Sequence, residues 1–400
     1  MSYNYSIEKL LEIQEISEIS VKENSNDKEI YIKLNRKTHK CPCCGNETDK
    51  IHDYRTQRIK DLPILGKNSI IVLRKRRYVC PNCKKKFYET IPWLGKYARM
   101  TKRVILQIIE DLSESVTYTS VSRNYSLSPP TVIRVFDNIK YPVPKLPLAL
   151  SIDEFKGNTG GEKYNCIIAD AINHTVLDIL PKRYDWYIQQ YFLKYKKEER
   201  DKVQIFVSDM WKPYQTTAEE LFQNSLRVID KYHWYRQVVW AFERVRKDVQ
   251  KKLSPEYRKY FKHSRNLLLK PFDSLNDDDK RAVNIMLYAS PTLSTAHFYK
   301  EQFQMIIRQK SRAKAKNLMN EWIDSALDSE IKSFVDCAKT MMNWKTEILD
   351  SFTTSCTNGF IEGCNNKIKV LKRISYGCRN FNRFRNRILH IFSNQKKMPA

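Results

Sequence analysis

The residues best placed to do chemistry are acids that follow short apolar runs. Asp153 and Glu154 lie at the end of LALSIDEF, in which apolar side chains alternate as they do along a β-strand. Asp209 follows a second such run, KVQIFVS, and Glu362 falls near the start of a segment with helical spacing. A carboxylate at the end of a buried strand costs free energy to desolvate unless a cation or a donor pairs with it. Two strand-end aspartates and a helical glutamate are the pattern of a two-metal site for phosphoryl transfer.

Each of these acids also allows a plainer interpretation. Asp153 fits a solvated strand-end turn, and Glu362 fits a first-turn acid that complements the helix dipole. The surroundings of Glu362 favour a functional role, because residues 358–400 contain ten Lys or Arg residues and no other acid. Asp230, in the run VIDKYHW, is either an auxiliary acid or a plain strand terminus. Because neighbouring residues of a strand point to opposite faces, Glu154 is expected to face away from Asp153.

Half of the cysteines are concentrated in one short segment. Cys41 and Cys44 form one CxxC motif, and Cys80 and Cys83 form another. Each motif presents two thiolates from a tight turn, so the four together complete a tetrahedral zinc site with no open position, which makes the zinc structural. Cys43 could compete with Cys44 as a ligand, and the alternative to zinc is a set of reduced cysteines in turns. Paired CxxC motifs favour metal over disulfides, and hence a reducing compartment.

Composition narrows the class of protein further. The 400 residues suggest two to three domains, and 42% hydrophobic with 12% aromatic residues is typical of globular chains. The formal net charge of +26 comes from Lys and Arg spread over the whole chain, and it predicts a polyanionic partner, nucleic acid before an anionic membrane. The sequence has no apolar run that approaches a transmembrane span, no signal peptide after Met1 and no Walker-type loop. Membrane proteins and ATP-driven motors are therefore disfavoured.

Around the cysteines the sequence predicts a small β domain. Residues 1–40 hold a short helical pattern at residues 7–11 and then two alternating apolar runs. The segment between the two CxxC motifs predicts a hairpin whose second strand carries the basic residues Arg74, Arg76 and Arg77. A basic strand beside a zinc site fits contact with DNA phosphates, although a solvated run of charge gives the same pattern.

The next segment, residues 102–141, predicts a helix–turn–helix. Apolar residues between 104 and 112 recur at helical spacing, and a second short helix is expected over residues 118–125. Ser128 is a suitable N-cap for the third helix, with prolines tolerated in its first turn. That helix turns Arg134 outward, where a guanidinium can contact a major groove. Any three-helix unit gives a similar pattern, and the basic context favours DNA binding.

The elements that would position the acids predict a larger α/β domain. A linker with three prolines, residues 141–147, leads into the strand of Asp153. Three antiparallel strands, a helix near residues 184–195 and the strand before Asp209 follow in that order. This is the order of an RNase H-like domain, in which the first and fourth strands lie side by side, so the two aspartates are expected to be neighbours. The interval 245–349 is helical in pattern and is expected to be a helical insertion.

The C-terminal segment predicts two basic helices. Asn358 can cap the first, in which Glu362 shares a polar face with basic residues. The second carries arginines four residues apart, a spacing that places them on one side of a helix. The candidate DNA contacts in the two helices are Lys369, Arg373, Arg379, Arg383 and Arg387.

These motifs resemble the bacterial insertion-sequence transposases of the ISL3 type over nearly the whole chain. That family's N-terminal zinc-binding domain is similar to CPCCG, IHDYRTQRIKDLP and RRYVCPNCKKKF, and its DDE transposase domain to SIDEF, FVSDMWKPY, VIDKYHW and NGFIEGCNNKIKVLKRISYG. The resemblance implies an RNase H-like nuclease that binds terminal inverted repeats, cuts at the ends of its element and joins the 3′ hydroxyls to target DNA. It implies two Mg²⁺ or Mn²⁺ ions per active site and one structural Zn²⁺. The residues that it implies are the catalytic triad Asp153, Asp209 and Glu362 and the zinc ligands Cys41, Cys44, Cys80 and Cys83.

The expected organisation has three parts. Residues 1–95 form the zinc-binding domain, residues 96–145 the helix–turn–helix region, and residues 146–400 the RNase H-like catalytic domain with its helical insertion. The expected partner is double-stranded DNA, bound by a homodimer or higher oligomer in the bacterial cytoplasm at the nucleoid, with no membrane. Two rivals are a non-catalytic zinc and helix–turn–helix regulator and a domesticated, inactive transposase. All three acids in matching contexts argue against both.

Overall fold

The computed structural model describes residue 13, residues 15–258, residue 261 and residues 264–394. The chain divides into two compact units, the first built mainly from residues 1–141 and the second from residues 142–372 with 377–393. The short helical pattern predicted near the N-terminus lies outside the described residues. Within the described part, every helix is too short or too polar to cross a bilayer.

The first unit contains a sheet built around one long hairpin. Its strands are β1 (Ile16–Glu23), β2 (Asp27–Leu34), β3 (His39–Lys40), β4 (Glu47–Thr48), β5 (Ile51–Ile64), β6 (Lys67–Val79) and β7 (Lys86–Tyr88). The main sheet has the order β1-β2-β6-β5, with β7 also paired to β6, while β3 pairs with β4. Leu65 and Gly66 join β5 to β6 with φ values of 52° and 74°, which suits a two-residue hairpin turn with the twist of its strands. The alternating apolar residues predicted before Cys41 form β1 and β2.

Three helices follow in the same unit and have the predicted helix–turn–helix order. They are α1 (Lys102–Asp111), α2 (Tyr118–Asn124) and α3 (Pro129–Asp137). Apolar residues at helical spacing, among them Val104, Ile108, Val132 and Phe136, are buried in a shared core. Ser128 occupies the N-cap position of α3, with prolines in the first turn, but its hydroxyl bonds to a side chain and makes no capping bond to the backbone.

The second unit is organised around a five-stranded mixed sheet. Its strands are β8 (Ala149–Phe155), β9 (Asn165–Asp170), β10 (Thr175–Leu180), β11 (Ile205–Ser208) and β12 (Leu226–Ile229), in the order β10-β9-β8-β11-β12. The first three strands are antiparallel, whereas β11 is parallel to both β8 and β12. The intervening helices are α4 (Asp185–Phe192), α5 (Lys197–Arg200) and α6 (Lys212–Leu221). The first and fourth strands, β8 and β11, therefore lie side by side, as the predicted fold requires.

Between β12 and the C-terminal helices, all described elements are helical. They are α7 (Lys231–Lys252), α8 (Pro255–Arg258), α9 (Ser264–Leu269), a 3-10 turn (Phe272–Ser274), α10 (Asp277–Tyr288), α11 (Pro291–Ile307), α12 (Arg312–Leu327), α13 (Lys332–Asn343) and α14 (Lys345–Asp350). This region has its own core, in which Trp234 of α7 packs with Phe303 and Trp322. The helix α7 runs without a break from Lys231 to Lys252, so it spans residue 245, where the helical insertion is expected to begin. Two more helices follow, α15 (Gly359–Ile374) and α16 (Phe381–Asn394).

Candidate active site

The acids predicted to act together line one cleft of the second unit. The ladder between β8 and β11 pairs Val207 with Ser151, and Asp209 and Asp153 each follow by two residues at the same end of the sheet. The cleft there has a volume of about 290 Å³. Its lining comes from β8, the end of β11, the start of α7 and the region of α15: Asp153, Glu154, Asp209, Asp230, Tyr232, His233, Arg236, Asn358, Glu362, Asn365 and Lys369.

Asp153 is held in place by hydrogen bonds to both of its carboxylate oxygens. Oδ1 accepts from the backbone N–H of Glu154 at 2.7 Å, and Oδ2 accepts from Asn365 Nδ2 at 3.0 Å. Burial raises the pKa of Asp153 to about 6, and the nearby charges of Glu154 and Asp230 add to that rise, although the two hydrogen bonds oppose it. The side chain is thus fixed in orientation while its charge is destabilised.

The negative charge of Asp209 is less well compensated by its surroundings than that of Asp153. Burial raises its pKa to about 7, and the carboxylates of Asp153 and Glu154 add to the rise, while Arg236 and Arg183 oppose it. Its Oδ1 is buried and has no hydrogen-bond partner within the described part of the chain. A buried carboxylate oxygen without a donor, next to a second acid with a raised pKa, is an arrangement that a bound cation would stabilise.

Glu362 reaches the cleft from the first turn of α15, with an exposed side chain. The sequence predicts a helix cap at Asn358, and in the structure the side chain of Asn358 bonds instead to β8. Its Oδ1 accepts from the Ser151 hydroxyl, and its Nδ2 donates to the Ile152 carbonyl at 3.4 Å. The carbonyl of Asn358 accepts from the Glu362 N–H at 3.0 Å. Asn358 therefore fixes the start of α15 against the strand that carries the first aspartate.

Asp230 positions elements of the cleft. Its Oδ1 caps α7 by accepting from the Tyr232 N–H at 2.9 Å, and its Oδ2 accepts from the Asn358 N–H at 2.8 Å. Both oxygens are therefore engaged by backbone, and the residue is buried. Of the two interpretations of Asp230 that the sequence allows, this geometry favours a structural one at the end of β12.

Sequence reasoning does not find Asn365, which is the residue that orients Asp153. Its Nδ2 donates to Asp153 Oδ2 and, at 3.4 Å, to the Glu154 carbonyl. Its own Oδ1 is buried with no hydrogen-bond partner in the described residues. The signal that could have found it is its spacing of three residues from Glu362, which places both on one face of α15.

Glu154 departs from the alternation expected of a strand, because it lines the same cleft as Asp153. Both of its carboxylate oxygens accept from Arg183 Nη1, at 2.7 and 2.8 Å. The ladder from β8 to β11 ends at Ser151, before either acid. Its charge is paired with an arginine, whereas that of Asp209 is not paired at Oδ1.

Cationic side chains also line the cleft. Lys369 stands two turns after Glu362 on α15 and is exposed. Arg236 of α7 lies near Asp209, where its charge opposes the rise in the pKa of that acid. The Arg236 Nη2 contacts the His233 Nδ1 at 3.3 Å. The cleft therefore combines carboxylates that can hold cations with basic groups that attract a phosphate backbone.

The first unit brings the four predicted zinc ligands together. The ligand atoms of Cys41, Cys44, Cys80 and Cys83 all lie within 4.8 Å of one another. Although burial opposes the change, the backbone N–H groups of Cys44 and Cys43 lower the pKa of Cys41 to about 7. The N–H of Cys83 likewise lowers the pKa of Cys80. By contrast, although a backbone N–H opposes the change, burial and the neighbouring sulfurs raise the pKa of Cys83. Four converging sulfurs, two of them with a lowered pKa, fit a closed tetrahedral zinc site.

The basic residues predicted to contact DNA have different surroundings within the first unit. Arg74 is exposed and lies 4.0 Å from the ring centroid of Tyr54, and Arg134 is exposed on α3. The Arg77 side chain is partly exposed, and its Nη1 lies 3.6 Å from Asp53 Oδ2. The Arg76 side chain is only 11% exposed; its guanidinium is 3.3 Å from Glu89 and also donates to the Leu34 carbonyl at 2.6 Å. Arg76 is thus engaged in holding the sheet together.

The predicted contacts of the C-terminal helices also divide by exposure. Lys369, Arg373 and Arg379 are exposed, and Arg383 is partly exposed. Arg387 is only 4% exposed, because the apolar side of α16 carries it into the core. A spacing of four residues predicts one helix side, but it does not distinguish the solvent side from the buried one.

Comparisons with known proteins match three consecutive segments. Residues 150–388 match a transposase domain model of ISL3 transposases, and residues 37–83 match the zinc finger of transposases IS204, IS1001, IS1096 and IS1165. Residues 89–139 match the helix–turn–helix domain of transposase family ISL3. The chain is also 27% identical, over 362 residues, to the transposase for insertion sequence element IS1001 of Bordetella parapertussis, and the alignment covers 88% of each chain.

Proposed function

The chain belongs to transposase family ISL3, and on that premise we propose that it binds the terminal inverted repeats of an insertion sequence and cuts DNA at the element ends. It then joins the freed 3′ hydroxyls to target DNA by two-metal-ion phosphoryl transfer. The observation that supports the proposal best is the single cleft lined by Asp153, Asp209 and Glu362. The strand order β10-β9-β8-β11-β12 further supports an RNase H-like catalytic domain.

The cleft suits divalent cations by its chemistry. Hard oxygen ligands are those that Mg²⁺ and Mn²⁺ prefer, and Asp153, Asp209 and Glu362 supply carboxylates. The buried Oδ1 of Asp209, which has no donor in the described residues, and the raised pKa of Asp153 both indicate uncompensated negative charge. When bound, two such ions activate the attacking oxygen and stabilise the leaving one.

The protein's own groups hold and orient the reactants. Asn365 fixes the carboxylate of Asp153, and Asn358 anchors the turn that carries Glu362. Lys369 and Arg236 place positive charge in the cleft, where it attracts a DNA phosphate.

Both steps are direct displacements at phosphorus. In the cutting step, water attacks the phosphorus and the bond to the 3′ oxygen breaks, which leaves a 3′ hydroxyl. In the joining step, that hydroxyl attacks a target phosphate and displaces another 3′ oxygen. Neither step needs a covalent bond between the protein and the DNA.

Recognition of the ends is proposed for the first unit, with further backbone contacts from the C-terminal helices. Arg74, Arg77 and Arg134 retain exposed surface there, and Arg134 lies on the third helix of the helix–turn–helix. The cations proposed to contact the DNA backbone elsewhere are Lys369, Arg373, Arg379 and Arg383. Because two element ends are joined in one reaction, we also propose a homodimer or higher oligomer on DNA, at the nucleoid in the bacterial cytoplasm.

The direct test is incubation of the purified full chain with labelled duplex that carries the ends of its own element, with Mg²⁺. Wild-type protein should cut the duplex at the element end and join it to a supercoiled target plasmid. Asp209→Asn should bind the same duplex and give no product. Asp278→Asn, a change of the same type at an exposed acid of α10, is the matched control and should cut normally. Equal cutting by the Asp209 variant and wild type would contradict the proposed site.

A further inference from the structure

Three side chains of α7 form a layered column beside the cleft. Tyr232, Arg236 and Trp240 are four residues apart, which places them on one face of the helix. The Arg236 guanidinium carbon lies 5.4 Å from the ring centroid of Tyr232 and 4.7 Å from that of Trp240. Tyr232 is 54% exposed and Trp240 is 45% exposed. The two rings therefore flank the cation and still offer aromatic surface to solvent.

The column starts inside the cleft and leads out of it. Tyr232 and Arg236 line the cleft together with Asp209 and Glu362, and Trp240 continues the same helix face one turn further on. The first turn of α7 is fixed by the cap at Asp230. A group that rests on this column would consequently lie next to the carboxylates.

The Arg236 guanidinium indicates that a group resting on the column carries negative charge. Arg236 Nε is buried and has no hydrogen-bond partner among the described residues. The Arg236 side chain lines the cleft beside the carboxylates. A guanidinium that the described residues leave partly unpaired is suited to an anion, and phosphate matches its geometry. Neither exposed ring has a role in the phosphoryl-transfer chemistry described above.

We propose that the column of Tyr232, Arg236 and Trp240 binds an unpaired nucleotide of the element end, next to the phosphate that is cut. Arg236 contacts its phosphate, and an exposed ring stacks on its base. The inference rests on the proposed function, and it specifies the state of the substrate: an end with an opened base pair. A base inside a duplex has both faces covered by its neighbours, so only an unpaired base can stack on the protein.

Aromatic stacking also suits a site of low sequence preference. Every base has a π-face, so a ring binds any of the four, and the guanidinium between the rings adds cation–π attraction. Sequence is then read elsewhere, and the column recognises only that a base pair is open. If the three side chains only stabilised α7, the affinity of the protein for DNA would not depend on whether a base pair is open.

The test compares end duplexes that differ by one opened pair. A series is made in which an abasic site faces each successive nucleotide across the element end, and binding of the full chain is measured with Ca²⁺ in place of Mg²⁺, which permits binding with little cutting and leaves the zinc site intact. Wild-type protein should bind one member, opened beside the cut phosphate, at least about fivefold more tightly than the paired duplex, from the typical contribution of one stacked base. Tyr232→Ala and Trp240→Ala should reduce that preference, and Trp240→Phe, which keeps a ring, should retain most of it.

The matched control is Trp186→Ala. Trp186 is 53% exposed and has Lys182 Nζ at 5.9 Å from its ring, but it does not line the cleft. This variant should show the wild-type preference for the open duplex. Binding of all variants to the fully paired end should change less than about twofold, which shows that each has folded.

Two results would overturn the inference. One is that wild-type protein shows no preference for any opened position, and the other is that the preference survives both alanine variants of the column. Cutting with Mg²⁺ is measured in parallel to separate this inference from the proposed function. Normal cutting with no preference removes the nucleotide site alone. A preference that depends on Tyr232 and Trp240 without any cutting supports the site and contradicts the proposed function.

Discussion

The zinc site and the carboxylate cleft are assembled in different ways. The zinc ligands come from two short motifs of the first unit, and their sulfur atoms already lie within 4.8 Å of one another. The cleft draws its lining from residues between Asp153 and Lys369, and two asparagines hold its elements in place. The turns around each CxxC motif build half of the zinc site locally, whereas the cleft exists only once the whole second unit has folded.

The two sites also differ in how their surroundings change the pKa values of their side chains. In the zinc site, burial is outweighed by backbone N–H groups, which lower the pKa of Cys41 to about 7 and so stabilise a thiolate. In the cleft, burial and mutual repulsion raise the pKa of Asp209 to about 7. The turn at Cys41 therefore stabilises a thiolate through its own N–H groups, while the cleft keeps its acids in an uncompensated state that bound cations would relieve. This is the difference expected between a structural and a catalytic site.

Removal of zinc should have the largest effect, because the two CxxC motifs then lose the ion that joins their four sulfurs. The free energy of zinc binding is folding free energy for such a domain, on the order of 10 kcal/mol. Cys80→Ser should lose zinc, unfold the region around residues 37–88 and abolish specific end binding. Zinc content by atomic absorption and binding by gel shift are the measurements.

Cys43→Ser is the control for the zinc site. Cys43 lies between two ligands but is outside the cluster of four sulfurs, so this variant should keep one zinc per chain. A Cys80→Ser protein that still contains stoichiometric zinc and binds ends would show that the four thiolates are not the ligands.

Loss of one of the carboxylates proposed to hold metal should have the next largest effect. Asp153→Asn should lower the cutting rate by on the order of a thousandfold or more, since several kcal/mol of transition-state stabilisation are lost. Binding and folding should persist, because Asn replaces Asp with nearly the same shape. The initial rate of cutting and a gel shift on the same duplex are the measurements.

Glu154, the neighbour of Asp153, provides the control for this prediction. Glu154 shares the cleft, but its charge is paired with Arg183, so Glu154→Gln should slow cutting by no more than about tenfold. A larger loss in Glu154→Gln than in Asp153→Asn would place the metal-holding role one residue further along β8.

Loss of Asn365, which orients Asp153, should impair the reaction less than loss of Asp153 itself and more than loss of the neighbouring Asn366. Asn365→Ala removes a hydrogen bond to Asp153, an acid proposed to hold metal, and loss of such a bond typically costs about ten- to a hundredfold in activity or metal affinity. The Mg²⁺ concentration for half-maximal cutting should therefore rise. Asn366→Ala, at the next and exposed position of the same helix, should leave that concentration unchanged. An unchanged Mg²⁺ dependence in Asn365→Ala would contradict the positioning role.

The contrast between the locally built zinc site and the cleft also explains which features can be predicted from the sequence. Cysteine spacing, helical spacing and alternation along strands are local patterns, and they predict the four sulfurs and the order of the helix–turn–helix. The pairing of β8 with β11 is predicted from the order of elements that is typical of an RNase H-like domain. The contacts of Asn358 and Asn365 with β8 join residues more than 200 positions apart, 207 and 212 respectively. No local pattern specifies such contacts.

Side-chain pairing is also beyond what residue type and spacing specify. The basic run at residues 74–77 of β6 gives one pattern in the sequence, yet Arg74 lies on the surface while Arg76 is paired with Glu89 inside the sheet. The same limit applies to Glu154, which lines the cleft with Asp153 and is paired with Arg183, although strand alternation predicts opposite faces for the two acids.

The smallest expected effect belongs to single exposed arginines in the first unit. Arg134 is exposed on α3, so Arg134→Ala should remove about one phosphate or base contact and weaken end binding without loss of fold. If the contact is to a phosphate, the slope of log affinity against log salt should fall by about 0.9, the value for one released counterion, and binding to random duplex should weaken equally. If the contact is to a base, the loss should be confined to the element end and the slope should not change. Arg281→Ala, an exposed arginine of α10, is the control that should alter neither quantity. An Arg134→Ala protein with wild-type affinity and slope on both duplexes would show that α3 does not face the DNA, and the recognition role would then pass to the basic strand that carries Arg74.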